Sequence, residues 1–592
     1  MDDYFDFHFH PVAKNHLSKY GEKASKEIDT KKFTQKIEMS KGFMDFTDEV
    51  ILRMLESQSC VDHLEKGKVS LGVAAISALE FGIASSKSFF SDILKTGFAQ
   101  PFDGEFFDVV REGKVSYLKL FLKEVERYVK LKNEGCLNFL AREKAKPLAK
   151  KSPNLVLGIE GGHNLCTKKI GNALEYDKFK EFTVDSLLDI RTTPSTKPED
   201  VLKWLVDGLN LVGIDVLYLT LTHLTHIPEQ HLATHAFGTR MLKHPSFYPF
   251  GNGISELGKK LIEKAYGLKA PNKNQKPGLI IDVKHMSLKS RLDLYAYRKS
   301  LEAKDKNPQD IPPLIASHVG VTGYSINDWK DNLDLERCSN HVDQGIKTIK
   351  INTKPKAAGY WGTGNRIEFT FNPNTINLMD EDIIEIVRSK GLIGVGLDVR
   401  LLGSDSSTAD SDDTYEFLST AEFVTHFPYN GIRSLDFTEM EEIKKEEKWL
   451  KPARKVMHPL SLCFNIVHIL AVIKLKTRLQ NEGDFKNYIC IGSDFDGFIE
   501  PLKVCGGSEQ MKELEANLLK WLPVAAKRYL EENGGADDLF DFTKKKQKLE
   551  KVVRAILYEN GRRFLKERGY FSEDGKGPKS PPKKDKTEAQ SL

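Results

Sequence analysis

Cysteine is scarce in this chain, with seven in 592 residues (Cys60, Cys136, Cys166, Cys338, Cys463, Cys490 and Cys505), odd in number and without CxxC spacing. The plain reading is reduced thiols in a cytoplasmic protein. Long hydrophobic runs are also lacking: no apolar run approaches the roughly 18 residues needed to span a bilayer. The N-terminal Met-Asp-Asp-Tyr-Phe-Asp is acidic where a secretory signal would be basic, and no apolar core follows it. An excess of one charge is missing too, since 88 basic residues face 84 acidic ones for a net +4. With no basic stripe interleaved with aromatics, nucleic acid is a poor partner, and without a spanning run so is a membrane. No GxSxG is present and no cysteine closes a clear strand, which argues against serine or cysteine nucleophiles.

What is present is an ordinary globular composition, 40% hydrophobic and 29% charged, arranged as short apolar runs that each precede a longer helical stretch. Eight candidate strands are Tyr4–His10, Val69–Ile76, Leu155–Glu160, Val216–His223, Gly278–His285, Pro313–His318, Leu392–Asp398 and Tyr488–Asp494. Continuous rather than alternating apolar runs suit a parallel sheet covered on both faces. Amphipathic stretches such as 115–130, 198–211, 255–266, 380–390 and 510–532 lie between them. The fold expected is α/β: a (β/α)₈ TIM-type barrel. Such a barrel needs about 250 residues, so residues 1–574 must carry large, mainly helical insertions, at about 11–68, 80–150, 320–375 and 399–460. These are expected to form lids or dimer contacts. Residues 575–592 hold almost no apolar side chain and read as a disordered polar tail.

Six of the apolar runs close on a histidine or an acid: FDFHFH, VLGIE, LYLTLTH, LIIDVKH, PLIASH and ICIGSD. Side chains from several strands converge at the C-terminal ends of such a barrel, so these endings read as one site. His8 and His10 stand two apart on a strand and share a face, half of a tetrahedral metal site. Phe7, Phe9 and Pro11 place them in a buried strand rather than among surface or capping histidines, with Asp6 a candidate partner beneath them. Glu160 ends an apolar run before Gly161-Gly162-His163, and a carboxylate there can bridge two cations. His163 reads as structural. His285 and His318 each end a strand and can complete a second metal position. His223 has the same position, with His226 and His231 as alternatives, and suits substrate binding. Asp494, with Asp496 competing, is a candidate general base.

These segments resemble the membrane dipeptidase family, the renal-dipeptidase-like M19 metallopeptidases of the amidohydrolase superfamily. GIEGGH, YLTLTH, ISELGKKLIEKA…GLIIDVKHMS, PLIASH, INLMDEDI and IGSDFDG occur in the family's order and span essentially the whole chain. The resemblance implies two zinc ions per chain. His8 and the residue two after it would bind the first, Glu160 would bridge, and His285 and His318 would complete the second. It further implies that His223 contacts substrate, that Asp494 is the acid/base, and that the protein is a homodimer acting on a small molecule, a dipeptide or related amide. Two departures stand out. The family has aspartate where this chain has His10, a change zinc accepts. It also has an arginine for the substrate carboxylate where this chain has Ile376; Arg366 is a nearby substitute. The expected activity is peptide-bond hydrolysis by a zinc-activated water. The rivals are another amidohydrolase reaction, such as opening a lactone or cyclic amide, and a non-catalytic metal-binding scaffold.

Overall fold

The structure, a computed structural model, describes residues 3–18, 34–38, 53–86, 102–170, 195–227, 230–240, 242–268, 278–304, 311–362, 367–403, 415–427, 454–477, 485–536 and 538–573. Arg366 and the 575–592 tail lie outside them. Its strands, in chain order, are β1 (Tyr4–Phe9), β2 (Val69–Ile76), β3 (Asn138–Phe139), β4 (Asn154–Ile159), β5 (Val216–Thr220), β6 (Ile280–Asp282), β7 (Leu314–Val319), β8 (Ser339–Asp343), β9 (Ile346–Asn352), β10 (Ala357–Trp361), β11 (Ile367–Thr370), β12 (Ile393–Val395), β13 (Tyr415–Ser419) and β14 (Ile489–Ile491).

Eight of these form one sheet in the order β1-β2-β4-β5-β6-β7-β12-β14, and every pair along it is parallel. The ring closes just beyond the last strand, where Asp494 N donates to His8 O at 2.9 Å and His10 N to Phe495 O at 2.9 Å. All eight sequence-derived strands are present, six of them shorter at their C-terminal ends, Val69–Ile76 unchanged and β7 running one residue further to Val319, and the fold is a (β/α)₈ barrel. Strand and helix alternate because each apolar run is buried on both faces and only a crossover helix can return the chain to a parallel neighbour. The helices fall close to expectation: Tyr117–Asn133, Pro198–Leu211, Glu256–Gly267, Asp380–Arg388 and Met511–Asn533. Ser116 and Ser255 cap two of them by accepting backbone N–H groups of the first turn.

One apolar cluster draws on Phe7, Val73, Val156, Tyr218, Ile280, Ile315, Leu392 and Cys490, and packs against Phe564 and Tyr570 near the C-terminus. Tyr570 donates to Val216 O at the start of β5, and Asn560 Nδ2 donates to Ile489 O at the start of β14. The C-terminal segment therefore plugs the N-terminal end of the barrel and leaves the opposite end for the site.

Two expectations are corrected. The 320–375 insertion is not helical in the main. It contributes β8 and β9, which pair with each other, β9 pairing in turn with β13 to complete an antiparallel sheet, and the β10–β11 hairpin. The burial of β8 alternates, so its polar residues face outward on a half-covered sheet rather than marking loops or helix. Secondly, the Lys455–Lys476 helix is long and apolar enough by composition to cross a membrane, although 89% of its apolar window is buried inside this fold. Such burial is that of a core helix covering the barrel.

Candidate metal centre

Each strand-end residue singled out by position is carried to the same end of the barrel, and five of them meet. His8 Nε2 lies 3.2 Å from His10 Nε2 and 3.3 Å from Glu160 Oε1. His10 Nε2 lies 3.4 Å from the other oxygen, Glu160 Oε2. On the far side of that carboxylate His285 Nε2 is 3.1 Å from Oε1 and 3.2 Å from His318 Nε2. All five residues are at least nine-tenths buried.

Two nitrogen–nitrogen pairs this close, both with a carboxylate between them, leave more acceptor lone pairs than protons can satisfy once the rings are neutral. Burial holds the His285 and His318 imidazoles well below the usual histidine range, whereas Asp494 and Glu160 hold His10 above it against its burial. For Glu160 burial favours the acid, yet His223 and His8 outweigh it and keep the carboxylate ionised. Neutral imidazoles and an ionised carboxylate are the forms that bind a divalent metal. His8, His10 and Glu160 form one set of donor atoms within 4.8 Å of one another, Glu160, His285 and His318 a second, and His8, His318 and Asp494 a third. The donor chemistry of these overlapping sets fits a divalent cation.

The surrounding residues hold these rings in place. His8 Nδ1 meets Tyr218 Oη at 2.6 Å, and His318 Nδ1 meets Ser317 Oγ at 2.8 Å. Each contact occupies the ring nitrogen turned away from the cluster. Gly158 makes the first possible, because a Cβ there would sit 2.5 Å from the Tyr218 ring. Gly161 follows Glu160 with φ +97°, a left-handed turn that glycine adopts without strain. His285 and Asp494 adopt φ values of 64° and 62°, where side-chain-bearing residues are strained, and both face the site.

Asp494 lies at the rim of the cluster, 3.5 Å from His10 Nε2, 3.7 Å from His8 Nε2 and 3.8 Å from His318 Nε2. Asp496 is otherwise occupied: its carboxylate accepts from Gln58 N and Ser59 N, each at 2.9 Å, and pins the 57–60 segment to the barrel. Asp6 does not touch an imidazole. It accepts from Ser493 N at 2.9 Å, Ser493 Oγ at 2.5 Å and His8 N at 3.3 Å, and so clamps β1 to the turn that bears Asp494. His163 bonds Ala78 O at 3.0 Å. Of the three histidines after β5, only His223 reaches the cluster, 3.7 Å from Glu160 Oε2; His226 and His231 pack against Phe250.

Sequence reasoning missed three neighbours. Glu80, four residues past β2, accepts from His223 Nδ1 at 2.9 Å and from Thr225 N at 3.0 Å. Burial opposes its charge, but His223 holds the carboxyl down to about 2. In turn Glu80 holds the His223 imidazole up, against burial, at about 9. Glu80 read as the first residue of an insertion, although an acid just beyond a strand was the same signal that found Glu160. Lys284 and Glu124 are buried and line the same cleft as the cluster; one precedes a histidine that drew attention away from it, and the other lies on the inserted helix Tyr117–Asn133. The cleft encloses about 1200 Å³ including its open mouth, and Leu17, Leu224, Leu242, Ile376 and Phe498 supply an apolar wall. Arg400 also lines it, with its guanidinium forked onto Asp398 at 2.6–3.0 Å.

Barrel, strand-end cluster and cleft together define a (β/α)₈ protein with a candidate two-cation centre. No protein-family model and no curated protein matches the chain. Solved structures do. Dipeptidase AC, a metallopeptidase of family M19, aligns over 96% of this chain and 99% of its own at 13% identity and a TM-score of 0.40. A metallopeptidase from Rhodobacter sphaeroides, liganded with a phosphinate mimic of the dipeptide L-Ala-D-Ala, gives the same coverage, identity and score. The probable dipeptidase PvdM from Pseudomonas aeruginosa aligns over 88% of this chain and 90% of its own at 12% identity and a TM-score of 0.38. Likeness at this level says nothing about chemistry; the distances within the cluster do.

Proposed function

We propose that this chain is a metal-dependent hydrolase, most simply a cytoplasmic dipeptidase with two zinc ions, acting on a small peptide or related amide as the M19 resemblance suggests. The observation that carries the reading is the convergence of His8, His10, His285 and His318 on the two oxygens of Glu160. His8, His10 and Glu160 would hold one cation, and Glu160, His285 and His318 the other. Divalent metal supplies an acidified water and a polarised carbonyl at neutral pH.

The chain's own residues supply the rest. Asp494 reaches the cluster through strained backbone and takes a proton from water at its carboxylate, then returns it to the leaving nitrogen. His223, fixed at Nδ1 by Glu80, turns Nε2–H toward the carbonyl oxygen on which negative charge develops. The apolar cleft wall excludes water from the scissile bond.

Elemental analysis of the metal-loaded chain, paired with a dipeptide-hydrolysis screen, tests this. Two zincs with cleavage is the expected result. Two metals without cleavage redirects the same centre to another amide or lactone, a reading that Ile376 on the cleft wall favours. Absence of bound metal after loading overturns the proposal.

A further inference from the structure

Lys284 stands immediately before His285, and adjacent residues of an extended chain point to opposite faces. Here both line the cleft, because β6 stops at Asp282 and His285 turns left-handed at φ 64°. The Lys284 residue is 2% exposed. Its neighbours in charge are Asp494, Asp398, Glu160 and Asp282, yet each has work elsewhere. Glu160 serves five imidazoles, Asp398 forks Arg400, Asp282 accepts from Lys284 N and Ser317 N, and Asp494 faces the histidines. Among the described residues no hydrogen bond or ion pair engages the Lys284 ammonium. A buried cation without a partner is costly unless a ligand provides one. The other strong cation on the wall, Arg400, is already neutralised by Asp398, and Ile376 offers nothing to an anion.

From this juxtaposition we infer that Lys284 is a specificity-determining residue whose ammonium receives a carboxylate of the substrate beside the two-cation centre. The inference rests on the proposed hydrolase reading for the word substrate, but the binding it describes is measurable without turnover. It also accounts for how a carboxylate is held by a cleft whose Arg400 is taken and whose Ile376 is apolar.

The test is calorimetric titration of the metal-loaded full chain with a phosphinate analogue of alanyl-alanine, as the free acid and as the C-terminal carboxamide. Wild type should bind the acid roughly tenfold or more tightly than the amide, the scale of one charge-assisted contact. Lys284→Met should abolish that preference, leave the affinity for the amide unchanged and retain the same metal content; Lys284→Arg should restore most of the preference. Should the methionine variant melt before titration, Lys284→Gln removes the charge while keeping a polar end. An acid preference that survives in Lys284→Met, an equal loss for both probes, or no preference in wild type overturns the inference. Metal-loaded wild type that prefers the acid but cleaves no dipeptide would leave Lys284 as assigned and sink only the dipeptidase reading.

Discussion

The barrel and the antiparallel sheet inserted into it obey opposite rules, and the site lies where they meet. Barrel strands such as β4 and β7 are buried along their whole length and end at candidate metal ligands, Glu160 and His318. Strands β8 and β9 are partly covered, and their last residues, Asp343 and Asn352, do not line the cleft. Yet the insert shapes the cleft. Glu416 of β13 accepts from Thr375 N and Thr375 Oγ1, and Thr375 precedes Ile376 on the cleft wall. Glu422, just after β13, accepts from Ser287 Oγ at 2.5 Å, two residues past His285. Arg291 joins the two regions from the barrel side: it pairs with Asp382 at 2.9 Å and donates to Met286 O and Thr375 O. The lesson is a division of labour. The barrel positions the candidate metal ligands, and the insert, through buried carboxylates and one buried arginine, supports the cleft wall beside them.

The largest effect should come from the barrel's own rim. Asp494→Asn is expected to lower kcat by roughly a hundredfold to ten-thousandfold while both metals stay bound by elemental analysis; parallel loss of metal would make Asp494 a ligand instead. Next, Arg291→Met should destabilise by about 3–5 kcal/mol in denaturant melts, because it removes the charge partner of the buried Asp382 and frees three carbonyls, Met286 O, Thr375 O and Asn377 O. A loss under about 1 kcal/mol would mean that insert and barrel are not coupled there. Glu80→Gln should lower kcat by roughly tenfold to a hundredfold with metal content intact, since His223 loses the charge that orients it; unchanged kcat would remove His223 from the chemistry.

A subtler test uses pH. Burial pushes the Glu416 and Glu422 carboxyls up to about 7 from a usual 4.5. Both acids therefore bind protons more tightly when folded, so their contribution is complete below about 4.5 and is lost as pH rises through about 7. The melting temperature should fall between pH 5 and pH 8, and Glu416→Gln should flatten that fall by about a degree or two; an identical slope would show that Glu416 does not titrate in this window. The smallest change belongs to the insert's outer face, where Val342 is 62% exposed. Val342→Ser should shift stability by no more than about 0.5 kcal/mol and leave kcat alone.

What the sequence by itself determined is the barrel and the ends of its strands. Runs such as VLGIE are apolar up to the acid that closes them, a pattern that suits a strand buried on both faces, and a histidine or acid closing such a run emerges at the barrel's open end. That reasoning reached His8, His10, Glu160, His223, His285, His318 and Asp494 before any contact was known. The sheet of β8, β9 and β13 was hidden because its outward lysines and asparagines look like surface loop, and the apolar Lys455–Lys476 helix shows its length only once Pro459 is seen to be carried within it. Tertiary structure alone decided the pairings. Glu80 finds His223 across 143 residues, Asp6 finds Ser493 across 487, and Asp496 is claimed by Gln58 and Ser59 rather than by the site. Strand periodicity reports which face a side chain takes, but a hydrogen bond between distant segments depends on how the whole ring closes. The isolation of Lys284 is of the same kind, since a cation is unpaired only with respect to everything that folds around it.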